Sequence, residues 1–214
     1  MSRAFTTLTG VAAPLPQPNI DTDAILPARY LKRIAVAGLG EALFREWRFA
    51  PDGAERPGFV LNQEPYRHAR ILVAGANFGC GSSRENAVWA LYDFGIRCVI
   101  APSFGDIFFN NSINYGLLPV VLPAERVDTL LAALAAQPGM QIEVDLPAQQ
   151  VRVPGTAPAS FPISAHAKHR LLHGLDEIAL TLEREPEIAA YEARRRRERP
   201  WLFADLDASP KNSG

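Results

Sequence analysis

The chain opens with a weak alternation of apolar and polar positions, FTTLTGVAAPL, which predicts a first strand. PNIDTDAILPARYLK follows as a polar turn with two aspartates leading into an apolar stretch. Residues 38–49, GLGEALFREWRF, have the spacing of a short helix, and PDGAERPG is a loop signal. RILVAG, residues 70–75, is a short continuous apolar run of the kind a strand shows when both its faces are covered. The pattern then breaks into a glycine-rich stretch, AGANFGCGSSRENAVW, residues 74–89. Ser82 with Glu85 fits a capping box, and Ala87, Ala90, Leu91 and Phe94 fall on one helical face. Gly95 stands where a cap glycine ends such a helix, and RCVIAP resumes a buried strand.

The same order repeats downstream. Ser103 with Asp106 has cap spacing, FGDIFFNNSINYG reads as a second helix, and LLPVVLP as a third strand of the set. Strand, helix, strand, helix, strand implies parallel strands joined by right-handed crossovers. ERVDTLLAALAAQ is an amphipathic helix and MQIEVDLPAQQVRV a hairpin. HAKHRLLHG and LDEIALTLE are helices separated by Gly174. The chain thus divides into an α/β domain over residues 1–185 and a C-terminal helical extension and tail over 186–214. No solenoid repeat is present in the sequence.

Composition narrows the function classes. With 214 residues, 48% of them hydrophobic, the chain can bury a core. A net charge of −1 gives no global field toward nucleic acid or an anionic membrane. No apolar run approaches a transmembrane span of about 20 residues, and the first residues lack a secretory signal's apolar stretch, so cytoplasmic residence is expected. Two cysteines, Cys80 and Cys98, are too few for a disulfide framework. They also lack C-x-x-C spacing, so no metal site is expected in this chain.

The chemistry concentrates in the glycine-rich loop, at the carboxyl end of a strand and the amino end of a helix, where backbone N–H groups attract anions. Gly75, Gly79 and Gly81 read G-x-x-x-G-x-G, which is neither a dinucleotide fingerprint nor a P-loop, and no Walker lysine follows. Cys80 near a helix start is a candidate nucleophile, but His68, His166, His169 and His173 all lie far from it in sequence. A carboxylate site is the third reading: Arg84 can fork onto a carboxylate, with the Ser82 and Ser83 hydroxyls beside it. Against all three stands the plain alternative of a tight glycine turn, a capping serine and a surface arginine.

NFGCGSSRE, residues 77–85, resembles the serine–serine–arginine signature of the aconitase superfamily's swivelling domain. NIDTDAILPARYLK, NFGCGSSRENAVWAL, IAPSFGDIFFNNSINYGLLPV and HGLDEIALTL occur in that family's order and spacing, most closely as in its 3-isopropylmalate dehydratase small-subunit branch. The resemblance implies a swivelling β/β/α fold, a compact sheet barrel flanked by helices. It implies a large-subunit partner holding a four-iron, four-sulfur cluster, with no cofactor in this chain. It further implies a hydro-lyase reaction of leucine biosynthesis that moves a hydroxyl between adjacent carbons of a small hydroxy-diacid. By the same resemblance Ser82 is the base in its alkoxide form, Arg84 holds a substrate carboxylate, and Ser83 adds a hydrogen bond. The Arg29-Tyr30-Leu31-Lys32 segment is implied to select the substrate's side chain, Leu31 suiting an isopropyl group and the Lys32 cation a carboxylate-bearing one as the alternative. Asp21, Thr22 and Asp23 form a turn that orients Arg84 or closes the loop, alongside Gly79, Cys80 and Gly81. An Asx-type turn is the local alternative for Asp21. Asn110-Asn111-Ser112 is expected to cap and pack, with lining the site as the alternative.

Asn86 departs from the resemblance, which carries histidine after the arginine–glutamate pair; asparagine hydrogen-bonds but does not titrate near neutral pH. Gly75 and Ala76 are uncharged where close bacterial relatives often carry charge. Both changes bear on which diacid is taken, a methylmalate or citraconate type being the alternative to isopropylmalate. A non-enzymatic binding subunit is the rival of another class. The run Arg194, Arg195, Arg196, Arg197 and Arg199 reads as a solvated helix end, with docking to the large subunit through Trp201 and Phe203 as an alternative. Nucleic-acid binding is not expected of it.

Overall fold

The computed structural model describes residues 4–30, 38–81 and 84–203. Two compact units make up the chain, Met1–Asp176 and Glu177–Gly214. The first is built on seven strands: β1 Thr7–Leu15, β2 Ile71–Ala74, β3 Cys98–Ala101, β4 Leu118–Val121, β5 Gln141–Asp145, β6 Gln150–Arg152 and β7 Ala159–Ser160. They form one curled mixed sheet in the order β4-β3-β2-β1-β5-β6-β7. From β1 to β4 the pairing is parallel, and from β1 outward through β5, β6 and β7 it is antiparallel. β1 is the hinge of the two halves: Leu15 pairs with Ala74 on one side, and Gly10 with Ile142 on the other.

The unit's helices are α1 Thr22–Ile25, α2 Arg45–Arg48, α3 Glu85–Phe94, α4 Asp106–Tyr115, α5 Ala124–Ala136 and α6 Ala165–His173. The two-residue period of the strands divides the interior between two cores. Leu72, Ala74, Val99 and Ala101 face the core that α3 covers with Ala87, Val88, Ala90 and Leu91. Ile71, Val73, Cys98 and Ile100 face the other, which α5 and α6 cover with Val127, Leu130, Leu134 and Leu171. β2 and β3 are therefore buried throughout, which is why they read as unbroken apolar runs. α4 serves both cores, Phe108 entering the first and Ile113 the second.

Three local expectations are corrected. Residues 38–49 do not form one helix but a 3-10 turn, Gly40–Ala42, and the short α2. Between them Phe44 adopts the left-handed region at φ 48°, because its N–H donates to Ile25 O at 2.8 Å and its ring is fully buried, stacked on Trp47 at 5.5 Å. The N-cap of α3 is Arg84, not Ser82, and its side chain makes no capping bond. The N-cap of α4 is Gly105, and Ser103 is used elsewhere.

The second unit comprises α7 Glu177–Leu182, α8 Glu185–Glu198 and a 3-10 turn, Pro200–Leu202. α8 buries no residue, carries Glu185 and Glu187 in its first turn and Arg195, Arg196 and Arg197 in its last, and so matches its charge to the macrodipole. Arg194 and Arg195 lie over the Tyr191 ring and Arg196 over Phe203.

Candidate active site

β1 and β2 run parallel as neighbours, so the loops leaving their carboxyl ends emerge side by side. Backbone bonds then join the two loops along their length. The Asn19 N–H donates to Ala76 O at 2.8 Å, Gly79 N–H to Ile20 O at 2.7 Å, and Thr22 N–H to Cys80 O at 3.0 Å. Asp21 and Cys80 form an isolated parallel bridge that extends the sheet past its last residues. Asn19 and Asn77 both sit at positive φ, and the Asn77 Nδ2 donates to Asn19 Oδ1 at 2.8 Å.

The glycines serve this frame. A Cβ on Gly75 would stand 2.6 Å from the carbonyl of Gln17, and one on Gly79 would stand 2.2 Å from Phe108 Cγ with φ already at +72°. The close approaches at these two positions are to the protein's own chain. Gly81, at φ +92°, is exposed, and among the described residues a Cβ on it would meet nothing nearer than Asp21 Cβ at 3.6 Å. The next loop joins from the far side: Ser103 Oγ accepts from the Asn77 N–H at 2.8 Å, Phe78 N–H donates to Ser103 O at 3.1 Å, and Gly105 N–H to Phe78 O at 2.9 Å. Ser103 thus ties two loops together, a role that its cap spacing did not signal.

Asp21 is the N-cap of α1, its Oδ1 accepting from Ala24 N–H at 2.7 Å, three residues on, which is a capping bond and not an Asx-type turn. Thr22 is buried, and Asp23 is exposed in the first turn. Asp23 Oδ1 accepts from Arg84 Nη1 in an ion pair whose arginine side chain is 17% exposed and whose aspartate is 55% exposed. Among the described residues, the other N–H groups of Arg84 have no hydrogen-bond partner. Asn86 is the second residue of α3 and half-buried. The structure thus brings Asp21, Thr22, Asp23, Gly79, Cys80, Gly81, Arg84 and Asn86 together past the carboxyl ends of the central strands β1 and β2. Ser82, Ser83 and Leu31, with Lys32, lie outside the described residues. Of the segment before them, Arg29 pairs with Glu46 at 2.5 Å and lies over the Tyr30 ring.

Both cysteines are free. Cys98 is fully buried in β3, and desolvation pushes its thiol far up from the ordinary range, which disfavours a thiolate ligand or nucleophile. Cys80 is half-buried, its carbonyl engaged by Thr22. Among the described residues no three His, Cys, Asp or Glu side chains converge on a metal position, so the donor set does not fit a cluster. No helix among them is long and apolar enough to cross a membrane.

Residues 2–125 match the family model of the aconitase C-terminal domain. Fold and loop therefore define the class as an aconitase-superfamily swivelling domain, with helices flanking the curled sheet. Residues 128–165 match the LeuD_N model, and residues 177–205 match the model of the C-terminal domain of the 3-isopropylmalate dehydratase small subunit. The 3-isopropylmalate dehydratase small subunit of Paramagnetospirillum magneticum is 57% identical over 198 residues, 92% of this chain and 98% of the relative. That of Magnetococcus marinus is 50% identical over 213 residues, 94% and 99%. The crystal structure of 3-isopropylmalate dehydratase from Methanocaldococcus jannaschii superposes with a TM-score of 0.63 at 26% identity, covering 86% of this chain and 99% of that one. This chain belongs to the family of 3-isopropylmalate dehydratase small subunits.

Proposed function

We propose that this chain is the small subunit of a heteromeric hydro-lyase that isomerises 2-isopropylmalate to 3-isopropylmalate by dehydration and rehydration. The observation that carries the reading is identity above half along nearly the whole length with a relative of that name. A four-iron, four-sulfur cluster of the family's kind would be held by the large subunit, not by this chain, and would supply Lewis-acid chemistry at the leaving hydroxyl. This chain supplies the proton transfer and the grip on the substrate.

Ser82 is the base. Abstracting a proton beside a carboxylate needs a strong base, and a serine alkoxide persists only where dipoles and a cation stabilise it. Two features support that environment. The segment that carries Ser82 leads directly into the amino end of α3, where unpaired N–H groups and the macrodipole favour negative charge. Arg84 follows two residues later, with N–H groups that no other described residue engages. Arg84 holds a substrate carboxylate through its planar fork, while Asp23 fixes the guanidinium from the opposite side. Ser83 adds a hydrogen bond, and Leu31 meets the substrate's branched side chain. Asp21, Thr22, Gly79, Cys80 and Gly81 hold the two loops in register, and Asn86 borders the diacid from the first turn of α3.

The experiment is reconstitution. This chain is mixed anaerobically with its large subunit and assayed against isopropylmalate, citraconate and methylmalate compounds. The proposal expects turnover of isopropylmalate by the mixture and none by either chain alone. Turnover by this chain alone, or a preference for another diacid, contradicts it.

A further inference from the structure

The end of the sheet opposite the candidate active site carries two arginines side by side. β2 and β3 pair in parallel with Ile71 beside Cys98. The residues just before them, Arg70 and Arg97, are therefore neighbours across the sheet, and the Arg97 N–H donates to Arg70 O at 2.8 Å. Residues in register on adjacent strands send their side chains to the same face, and like charges so placed repel each other. Both arginines line a polar cleft of about 240 Å³, together with Thr6, Thr7, Tyr92 and Gly116. Among the described residues no Asp or Glu lines it. Asp93, next to Tyr92, is engaged elsewhere, its Oδ2 accepting from the Gly38 and Gly40 N–H groups at 2.9 and 2.8 Å.

Each guanidinium is set in place by its surroundings. The Arg70 stem lies against β1 at Gly10, where a Cβ would stand 3.1 Å from Arg70 Cβ and 3.4 Å from its Cγ and Cδ. A glycine inside a strand weakens the strand and marks a close approach; here the group that approaches is the arginine. Arg70 has no hydrogen-bond or ion-pair partner among the described residues. Arg97 is anchored to the end of α3: its Nη1 donates to Tyr92 O at 2.6 Å and to Ile96 O at 2.9 Å, and its guanidinium lies 3.7 Å from the centroid of the Tyr92 ring. Two held cations thus share a cleft whose lining supplies no counter-charge.

We propose that this cleft binds a phosphate group, gripped between Arg70 and Arg97. Arginine's planar fork takes phosphate oxygens in pairs. One tetrahedral dianion has oxygens enough for two forks, whereas a single carboxylate has two oxygens and fills one. The bound anion offsets the repulsion between the two arginines and ties the amino ends of β2 and β3 together. The cleft is separated from the candidate active site by the length of β2, whose four residues span about 13 Å. The proposal rests on neither the substrate nor the role of Ser82.

The test is calorimetric titration of the full-length chain at fixed ionic strength, with inorganic phosphate, glycerol 3-phosphate and malonate as probes. We expect one phosphate per chain with Kd below about 5 mM. Arg70→Gln should weaken binding at least ~10-fold, and so should Arg97→Lys, since an ammonium cannot fork onto the anion. Arg84→Lys, in the candidate active site, should leave the affinity within about 2-fold. Thermal unfolding gives a second readout: 20 mM phosphate should raise the melting temperature by about 2 °C or more over chloride at equal ionic strength. Arg70→Gln should lose that shift, measured against its own phosphate-free midpoint, even where the variant itself is less stable. Glycerol 3-phosphate binding as tightly as phosphate supports the proposal and assigns a phosphate carried on a larger molecule; binding of inorganic phosphate alone supports it and assigns the free anion. No saturable binding up to about 20 mM, loss of binding in Arg84→Lys but not in Arg70→Gln, or malonate binding more tightly than phosphate overturns it.

Discussion

Arg84 and Asp23 stand 61 residues apart in sequence and form an ion pair across the two loops at the carboxyl ends of β1 and β2. An ion pair with one partner more than half exposed contributes ~0–1 kcal/mol to stability, and we propose that it serves to aim the guanidinium. We expect Asp23→Asn to leave the melting temperature nearly unchanged and to lower kcat/KM of the reconstituted enzyme ~3–10-fold through a misaimed Arg84. Arg84→Lys should raise KM by ~10–100-fold, since an ammonium cannot fork onto a carboxylate. In the double variant the effects should not add, because both act on one contact. Steady-state kinetics of the three variants measure this, and additive losses would separate Asp23 from Arg84.

The frame under the site should be brittle at Gly79. Any side chain there meets Phe108 at 2.2 Å from Cγ in a left-handed backbone. Gly79→Ala should cost ~2–4 kcal/mol, overpacking and strain together. Gly155 has a similar φ, +74°, and a Cβ there would meet nothing within 4 Å among the described residues. Gly155→Asn should cost less than ~1 kcal/mol, asparagine tolerating that region best. Denaturant unfolding of the two variants gives the comparison directly.

The thiols should differ sharply in reactivity. Burial pushes the Cys98 thiol up, so raising the pH from 7 to 9 does not populate its thiolate. Cys80 is half-buried on the loop. Iodoacetamide should label Cys80 and spare Cys98 in the native chain, and label both in denaturant. Cys80→Ser should leave the cluster spectrum of the reconstituted complex intact. Labelling of native Cys98, or loss of the cluster signal, would contradict this account.

The parallel half of the fold was legible because β2, β3 and β4 are buried on both faces and separated by well-patterned helices. The antiparallel pairing of β1 with β5, about 130 residues on, is a long-range choice that no local pattern carries. The one-helix reading of residues 38–49 failed where tertiary contacts took over: the Phe44 backbone is bonded to Ile25 and its ring buried, so local propensity lost. Cap spacing misled at Ser103, whose hydroxyl is better used on Asn77. In the site, the family signature drew attention to Arg84 and to the aspartate turn. The pairing of Asp23 rather than Asp21 with Arg84 depends on which carboxylate caps α1. Gly75 and Gly79 stand in the glycine-rich loop where the chemistry concentrates, and the atoms they admit are those of Gln17 and Phe108.

The central claim is that this chain supplies the base, and it is tested most directly by Ser82→Ala in the anaerobically reconstituted complex. Turnover of isopropylmalate is measured beside circular dichroism and large-subunit binding. The account expects kcat to fall by roughly 10³-fold or more, the scale of losing an essential proton-transfer group, with folding and assembly unchanged. A correctly folded, fully assembled Ser82→Ala complex that keeps near-normal turnover would contradict it.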